Sequence, residues 1–101
     1  MNKNLDILKN INILYLEDDE NLLKHTSDIL EDFVANIYGV KNTIDAMKIL
    51  LEKKVDVIIS DIQLENENGI NFLKYIKSKG ILIPAILTTA HTDTNYLIES
   101  I

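Results

Sequence analysis

Acidic residues follow two short apolar runs of this chain, and their types and spacing could bind a cation. Residues 13–16 (ILYL) are followed by the acids at 17–19 (EDD), and residues 55–60 (VDVIIS) are followed by Asp61. A short apolar run bounded by polar residues is typical of a buried parallel strand. In open α/β sheets, ligands bind at the carboxyl ends of the strands. If the two strands are neighbours, carboxylates converge on one pocket, and such crowded like charges favour a hard divalent cation with oxygen ligands.

The composition indicates one ordinary globular domain of 101 residues, with 47% hydrophobic and 26% charged residues. Ten basic and sixteen acidic residues give a net charge of −6, which argues against nucleic-acid binding by this domain. The chain has no cysteine, which excludes disulfide and thiolate chemistry and agrees with a cytoplasmic location. It shows no signal peptide and no apolar run near the ~20 residues of a membrane helix, so we expect no membrane interaction.

Strand and helix patterns alternate along the chain, which predicts an α/β fold with a parallel sheet. The predicted elements are strand 13–16, a helix around 22–33, strand 35–40, a helix around 43–51, strand 55–60, a helix from 69 to 80, strand 84–88 and a helix from 93 onward. We expect a polar N-terminal extension over residues 1–10 and a domain over 11–101. Residues 97–101 carry no helix stop signal, so we expect the natural protein to continue beyond them.

The sequence resembles the receiver domain of bacterial two-component response regulators. Residues 13–20 (ILYLEDDE) are similar to the first-strand signature of that family, and residues 84–90 (PAILTTA) to its fourth-strand signature. Asp61 and Gly69 follow in the family's order and spacing. The resemblance implies a flavodoxin-like parallel sheet of order 2-1-3-4 with helices on both faces, truncated after the fourth strand–helix unit. That order makes the first and third strands neighbours.

The resemblance also implies a phosphoacceptor site that uses Mg²⁺. Asp61 matches the aspartate that accepts a phosphoryl group as a covalent acyl phosphate. Asp18 matches the acid that binds Mg²⁺ directly, and Glu17 matches the acid that helps to hold it. Gln63 stands where the family contributes a backbone carbonyl to the metal. Such a domain promotes only its own phosphotransfer and dephosphorylation, so we expect no enzyme in the usual sense.

Further roles follow from the fourth-strand signature and from the first-helix start. Thr89 matches the hydroxyl residue that contacts the bound phosphate, and Ala90 matches the small residue that leaves access to it. Thr88 is expected only to finish the strand. Asp19 is expected to cap the first helix rather than to bind metal, because negative charge is favourable there. Tyr15 is expected in the core.

The chain departs from the family pattern in two places. Glu65 stands where a proline is usual, so the loop after Asp61 is expected to be more mobile. The fifth strand and helix are missing from the sequence, together with the family's lysine and switch aromatic. The strand at 85–88 should then be an open edge, and we expect self-association through it.

The partners implied by the resemblance are a sensor histidine kinase or phosphotransfer protein and a downstream output domain beyond this chain. One alternative is a receiver-like interaction module that works without phosphorylation, although the joint presence of Glu17, Asp18, Asp61 and Thr89 argues against it. Another is a metal-dependent phosphatase with an aspartate nucleophile. Those enzymes have a second acid two residues after the nucleophile, where this chain has Gln63.

Overall fold

A computed structural model gives the architecture of the protein and describes Asp6 and residues 8–89. The elements, in chain order, are β1 (Asn12–Leu16), α1 (Glu20–Leu30), β2 (Asn36–Val40), α2 (Thr43–Glu52), β3 (Val57–Asp61), β4 (Gln63–Leu64), β5 (Glu67–Asn68), α3 (Gly69–Ser78) and β6 (Ala85–Thr88). The predicted alternation of strands and helices is therefore confirmed over this range. The helix predicted from Asp93 lies outside the described residues.

Within the described range, four strands form one parallel sheet in the order β2-β1-β3-β6. This is the predicted order 2-1-3-4, because β6 is the strand expected at 84–88. Strand β1 pairs with β3 in a register that places Leu16 opposite Ser60. The residues after β1 and the last residue of β3, Asp61, therefore reach the same edge of the sheet.

The bounds of strand β3 differ from those of the apolar run at residues 55–60. It begins at Val57 rather than at residue 55 and includes Asp61 as its last residue. Asp56 lies directly before the strand and is bonded to Asn12 twice: its N–H donates to the Asn12 carbonyl at 2.8 Å, and its Oδ2 accepts from the Asn12 N–H at 2.8 Å. This pair fixes the start of β3 beside the start of β1.

Side-chain caps define where the helices begin, and backbone hydrogen bonds close their ends. Asp19, Asn42 and Asn68 are the N-caps of α1, α2 and α3, and each accepts hydrogen bonds from N–H groups of the first turn. The predicted capping role of Asp19 is therefore confirmed. Helix α3 ends at Ser78, and Gly80, two residues later, has a φ of 84° that suits glycine. The N–H groups of Gly80 and Ile81 return to carbonyls of the last turn at 3.0 Å each.

Alternate residues of β1 enter two separate apolar layers. Leu14 and Leu16 are fully buried on the face covered by α2 and α3, where Phe72 and Ile76 complete the layer. The other face carries a smaller cluster covered by α1, made of Ile13, Tyr15, Val34 and the partly buried side chains of Leu8, Ile11, Leu23, Ile37 and Ile59. Both faces of β1 are therefore covered, as in parallel sheets generally.

A two-stranded hairpin, β4–β5, leaves the sheet directly after β3. The residues between its strands are Glu65 and Asn66, and Asn66 has a positive φ of 62°. Asparagine tolerates this left-handed conformation better than most side chains. The sequence predicted only a loop here, because two-residue strands carry no recognisable periodicity.

Candidate functional site

Three acidic side chains meet at the carboxyl ends of β1 and β3. Glu17 and Asp18 directly follow β1, and Asp61 ends β3. Each residue offers a carboxylate oxygen, and the three oxygens lie within 4.8 Å of one another. The convergence expected from the two apolar runs is therefore present in the structure, and the adjacency of β1 and β3 produces it.

Main-chain N–H groups hold all three carboxylates. The N–H of Asp19 donates to Glu17 Oε2 at 3.0 Å, and the N–H of Gln63 donates to Asp61 Oδ1 at 3.3 Å. The N–H of Glu65 donates to Asp18 Oδ2 at 2.7 Å, from the hairpin turn. The acids are therefore fixed by the backbone of the α1 start and of the hairpin.

Burial and mutual repulsion disfavour the ionised form of two of these acids. Burial raises the pKa of Glu17 to about 7, against the lowering effect of the Asp19 N–H, and the charge of Asp61 adds to the rise. Burial also raises the pKa of Asp61, with Asp18 as the nearby like charge. No salt bridge between described residues includes these acids. A cation would therefore relieve an electrostatic cost that is built into the site.

The donor set fits a hard cation such as Mg²⁺. Carboxylate oxygens are the ligands that Mg²⁺ prefers, and it retains several waters when few protein ligands are present. Glu17 is only 3% exposed, whereas Asp18 and Asp61 are half-buried and reach solvent. An ion could thus keep water ligands on the open side. The carbonyl of Gln63, predicted as a further ligand, stays a prediction.

An open cleft of about 490 Å³ adjoins the acids. Its lining includes Thr88 and Thr89 on the β6 side of the site, together with Tyr15 and Thr26 on the α1 side. Strand β6 ends at Thr88, so Thr89 lies just past the strand as predicted, and it lines the cleft beside Asp61. Ala90, predicted to leave access to the site, lies outside the described residues.

Tyr15 and Thr26 are cleft residues that the sequence analysis did not identify as such. Tyr15 is buried, as expected for a core residue, and it lines the cleft together with Thr26. Burial raises the pKa of Tyr15, and the charge of Glu17 adds to the rise. The alternation of β1 side chains between the two faces of the sheet could have identified Tyr15 as a cleft residue, because it places Tyr15 on the face covered by α1.

Gly69 allows the end of β3 and the start of α3 to approach closely. A Cβ atom at Gly69 would collide with the backbone carbonyl oxygen of Asp61 and lie 2.8 Å from the hydroxyl of Ser60. The N–H of Gly69 donates to the Ile62 carbonyl at 2.7 Å. A larger residue here would displace the strand end that carries Asp61.

This parallel α/β fold, with acids at the ends of neighbouring strands, is the architecture expected for a receiver domain. The sequence profile described as "Response regulator receiver domain" matches residues 13–101, so the chain belongs to that family. The family consists of phosphoacceptor domains of two-component signalling rather than of enzymes in the usual sense. The resemblance stated from the sequence is thereby confirmed.

Curated relatives are considerably longer than this chain. A "Putative response regulator NtrX-like" of Rickettsia bellii is 31% identical over 93 residues, which are 90% of this chain and 20% of that protein. The "Transcriptional regulatory protein CiaR" of Streptococcus pneumoniae is 35% identical over 83 residues, covering 79% of this chain and 35% of that protein. The chain thus spans about a fifth to a third of the length of these relatives.

Solved receiver structures share the fold. The MaeR response regulator bound to beryllium trifluoride is similar with a TM-score of 0.76 and 29% identity, over 89% of this chain and 75% of that one. The signal receiver domain of an HD domain-containing protein from Pseudomonas fluorescens has a TM-score of 0.81 at 21% identity, over 90% of this chain and 73% of that one. Within the described residues, no helix is long and apolar enough to cross a bilayer.

Proposed function

We propose that Asp61 accepts a phosphoryl group from a phosphohistidine of a sensor histidine kinase or phosphotransfer protein. The observation that carries this proposal is the position of Asp61, at the carboxyl end of β3 within 4.8 Å of Glu17 and Asp18. Its carboxylate faces an open cleft that is large enough to admit a phosphoryl group. The family of the chain supports the same chemistry.

The transfer exchanges one bond to phosphorus for another. A carboxylate oxygen of Asp61 attacks the phosphorus atom, and the bond between phosphorus and the donor imidazole nitrogen breaks. The bonding electrons return to the imidazole, and the product is an acyl phosphate on Asp61. The Gln63 N–H, at 3.3 Å from Asp61 Oδ1, helps to orient the carboxylate for this attack.

Glu17 and Asp18 are proposed to hold Mg²⁺ next to Asp61, with the Gln63 carbonyl as a further ligand. Bound Mg²⁺ would offset the negative charge that accumulates on the phosphoryl oxygens. Thr89 is proposed to donate its hydroxyl to the bound phosphoryl group, because it lines the same cleft. Ala90 is proposed to leave access to it.

The length of the curated relatives supports a role within a longer protein. We propose that phosphorylation of this domain controls an output domain, and that the domain works in the cytoplasm, where its phosphodonor would be available. We propose residues 11–101 as the receiver domain and 1–10 as an extension that precedes it.

Phosphorylation by a small acyl phosphate such as acetyl phosphate, in the presence of Mg²⁺, tests the acceptor. We expect a covalent phosphoryl adduct in intact-protein mass spectrometry, and no adduct in Asp61→Asn. Asp18→Asn should weaken Mg²⁺ binding and phosphorylation together, because it removes one of the acidic ligands. Asp28→Asn, an exposed acid paired with Lys24 on α1, is the matched control and should behave as the parent does.

Three other outcomes would count against the proposal. Equal labelling of the Asp61→Asn variant would show that another residue is the acceptor. A parent that binds Mg²⁺ but forms no adduct would favour the phosphorylation-independent interaction module. Continuous consumption of the phosphodonor without an adduct would favour a phosphatase.

A further inference from the structure

The hairpin turn is tied to the acidic site by one main-chain hydrogen bond. The N–H of Glu65 donates to Asp18 Oδ2 at 2.7 Å, although the two residues are 47 positions apart in sequence. The bond is as short as charge-assisted hydrogen bonds usually are. It joins the loop that follows Asp61 to a proposed metal ligand on another strand end.

The residue type at position 65 makes this bond available. Proline is usual here in the receiver family, and proline has no backbone N–H. Glu65 therefore supplies a donor that a proline at the same position would lack. This departure from the family pattern provides a contact between the loop and Asp18, and the expected mobility of the loop stays a prediction.

Contacts of the second hairpin strand and of the hairpin base hold this donor in place. Its strands pair Leu64 with Glu67, and the carboxylate of Glu67 accepts bonds from Thr43 Oγ1 at 2.6 Å and from Thr43 N–H at 3.1 Å. The Gly69 N–H bond to the Ile62 carbonyl closes the base of the hairpin. The Glu65 N–H is thus presented to Asp18 by a braced element.

We propose that the backbone N–H of Glu65 is a positioning group for metal binding by Asp18. This inference rests on the proposed function of the same site. A carboxylate has two oxygens and about four lone pairs, so one bond to Oδ2 leaves acceptor capacity for a cation. Hydrogen bonds to ligating carboxylates fix their orientation, and losing such a partner typically costs 10–100-fold in metal affinity.

Glu65→Pro removes the donor, and we expect it to preserve the turn. In the two-residue turn, Glu65 precedes Asn66, whose φ is 62°, and the φ of Glu65 is not positive. This order of signs matches a type II turn, in which proline is common at the first central position. Leu64 lies in a strand, and an extended conformation is the one favoured before proline.

Glu65→Ala is the matched control, because it also removes the side-chain charge but keeps the N–H. We expect Glu65→Pro to bind Mg²⁺ about tenfold more weakly than Glu65→Ala in calorimetric titration. A second measurement needs neither metal nor the proline variant: hydrogen exchange of the Glu65 amide in EDTA. That exchange should be faster in Asp18→Ala than in the parent, because the acceptor is removed.

Equal or tighter Mg²⁺ binding by Glu65→Pro than by Glu65→Ala would overturn the positioning role and leave the proposed function standing. An unchanged exchange rate of the Glu65 amide in Asp18→Ala would also overturn the positioning role. This measurement can be made even if Glu65→Pro fails to fold. Lack of Mg²⁺ binding by the parent would overturn the proposed metal site and this role with it.

Discussion

At the scale of single residues, Glu17 carries the largest electrostatic cost of the site. It is 3% exposed, directly follows a buried strand and faces Asp18 and Asp61. Burial raises its pKa to about 7, so the metal-free site retains a proton on Glu17 at pH values where an exposed glutamate is ionised. Cation binding should therefore release part of a proton near neutral pH.

The raised pKa of Glu17 predicts that the metal-free protein loses stability as pH rises. The folded state binds the proton more tightly than the unfolded state, in which a glutamate has a pKa near 4.5. The contribution of this bound proton to the free energy of unfolding is fully present below about pH 4.5 and disappears as pH rises through about 7. In EDTA, we expect a lower melting temperature at pH 8 than at pH 5.5, by at least about 4 °C, the shift for roughly 1 kcal/mol.

Glu17→Gln separates this effect from other titrating groups. The variant should show a smaller fall in melting temperature between pH 5.5 and pH 8, because the amide does not ionise. Glu20→Gln, at an exposed position in the first turn of α1, should retain the parent's fall. A fall that is the same in parent and Glu17→Gln would assign the pH dependence to other groups.

At the scale of elements, the sequence predicted the sheet better than the connection after Asp61. The strand positions and order followed from apolar runs and from family spacing. The order is confirmed, and each strand of the sheet begins within two residues of its predicted start. The hairpin at 63–68 did not follow, because its residues (QLENEN) mix one apolar side chain with polar ones. Its contacts with Asp18 and Thr43 are long-range, and local patterns carry no information about them.

The contact between Glu67 and Thr43 predicts that the hairpin stabilises the start of α2. The Glu67 carboxylate accepts two hydrogen bonds from the first residue of that helix, where negative charge is favourable. Glu67→Ala should lower the free energy of unfolding by about 1–2 kcal/mol, measured by urea denaturation.

Glu52→Ala provides the control for this helix. Glu52 is the exposed last residue of α2, where a negative charge opposes the helix dipole, so its removal should cause no loss of stability. A Glu67→Ala variant as stable as Glu52→Ala would mean that the hairpin contributes nothing to the helix start.

At the scale of the whole molecule, the two sheet faces differ in their cover. Helices α2 and α3 lie over the larger apolar layer, whereas α1 covers the smaller one. On the α1 side, Leu22, Ile29 and Phe33 are substantially exposed. Ile86 of the edge strand β6 is 55% exposed and pairs in register with Ile59 of that face. Apolar surface of this kind favours association.

The position of β6 predicts that the 101-residue polypeptide self-associates. Strand β6 pairs with β3 on one side, and no other strand of the described range pairs with its second side. An edge with unpaired backbone groups and an exposed Ile86 can pair with the same edge of a second copy. We expect sedimentation velocity to show a concentration-dependent dimer. Ile86→Lys should shift it towards monomer, because an edge charge opposes strand pairing.

Leu51→Lys tests whether the effect belongs to the edge rather than to apolar surface in general. Leu51 is 76% exposed and lies on helix α2, not on the edge strand β6. Its substitution should therefore leave the dimer intact. Association that Ile86→Lys and Leu51→Lys reduce equally would indicate non-specific contact between apolar side chains. A parent that stays monomeric at the highest attainable protein concentration would exclude edge pairing. Association between two uncovered edge strands should increase with protein concentration by mass action.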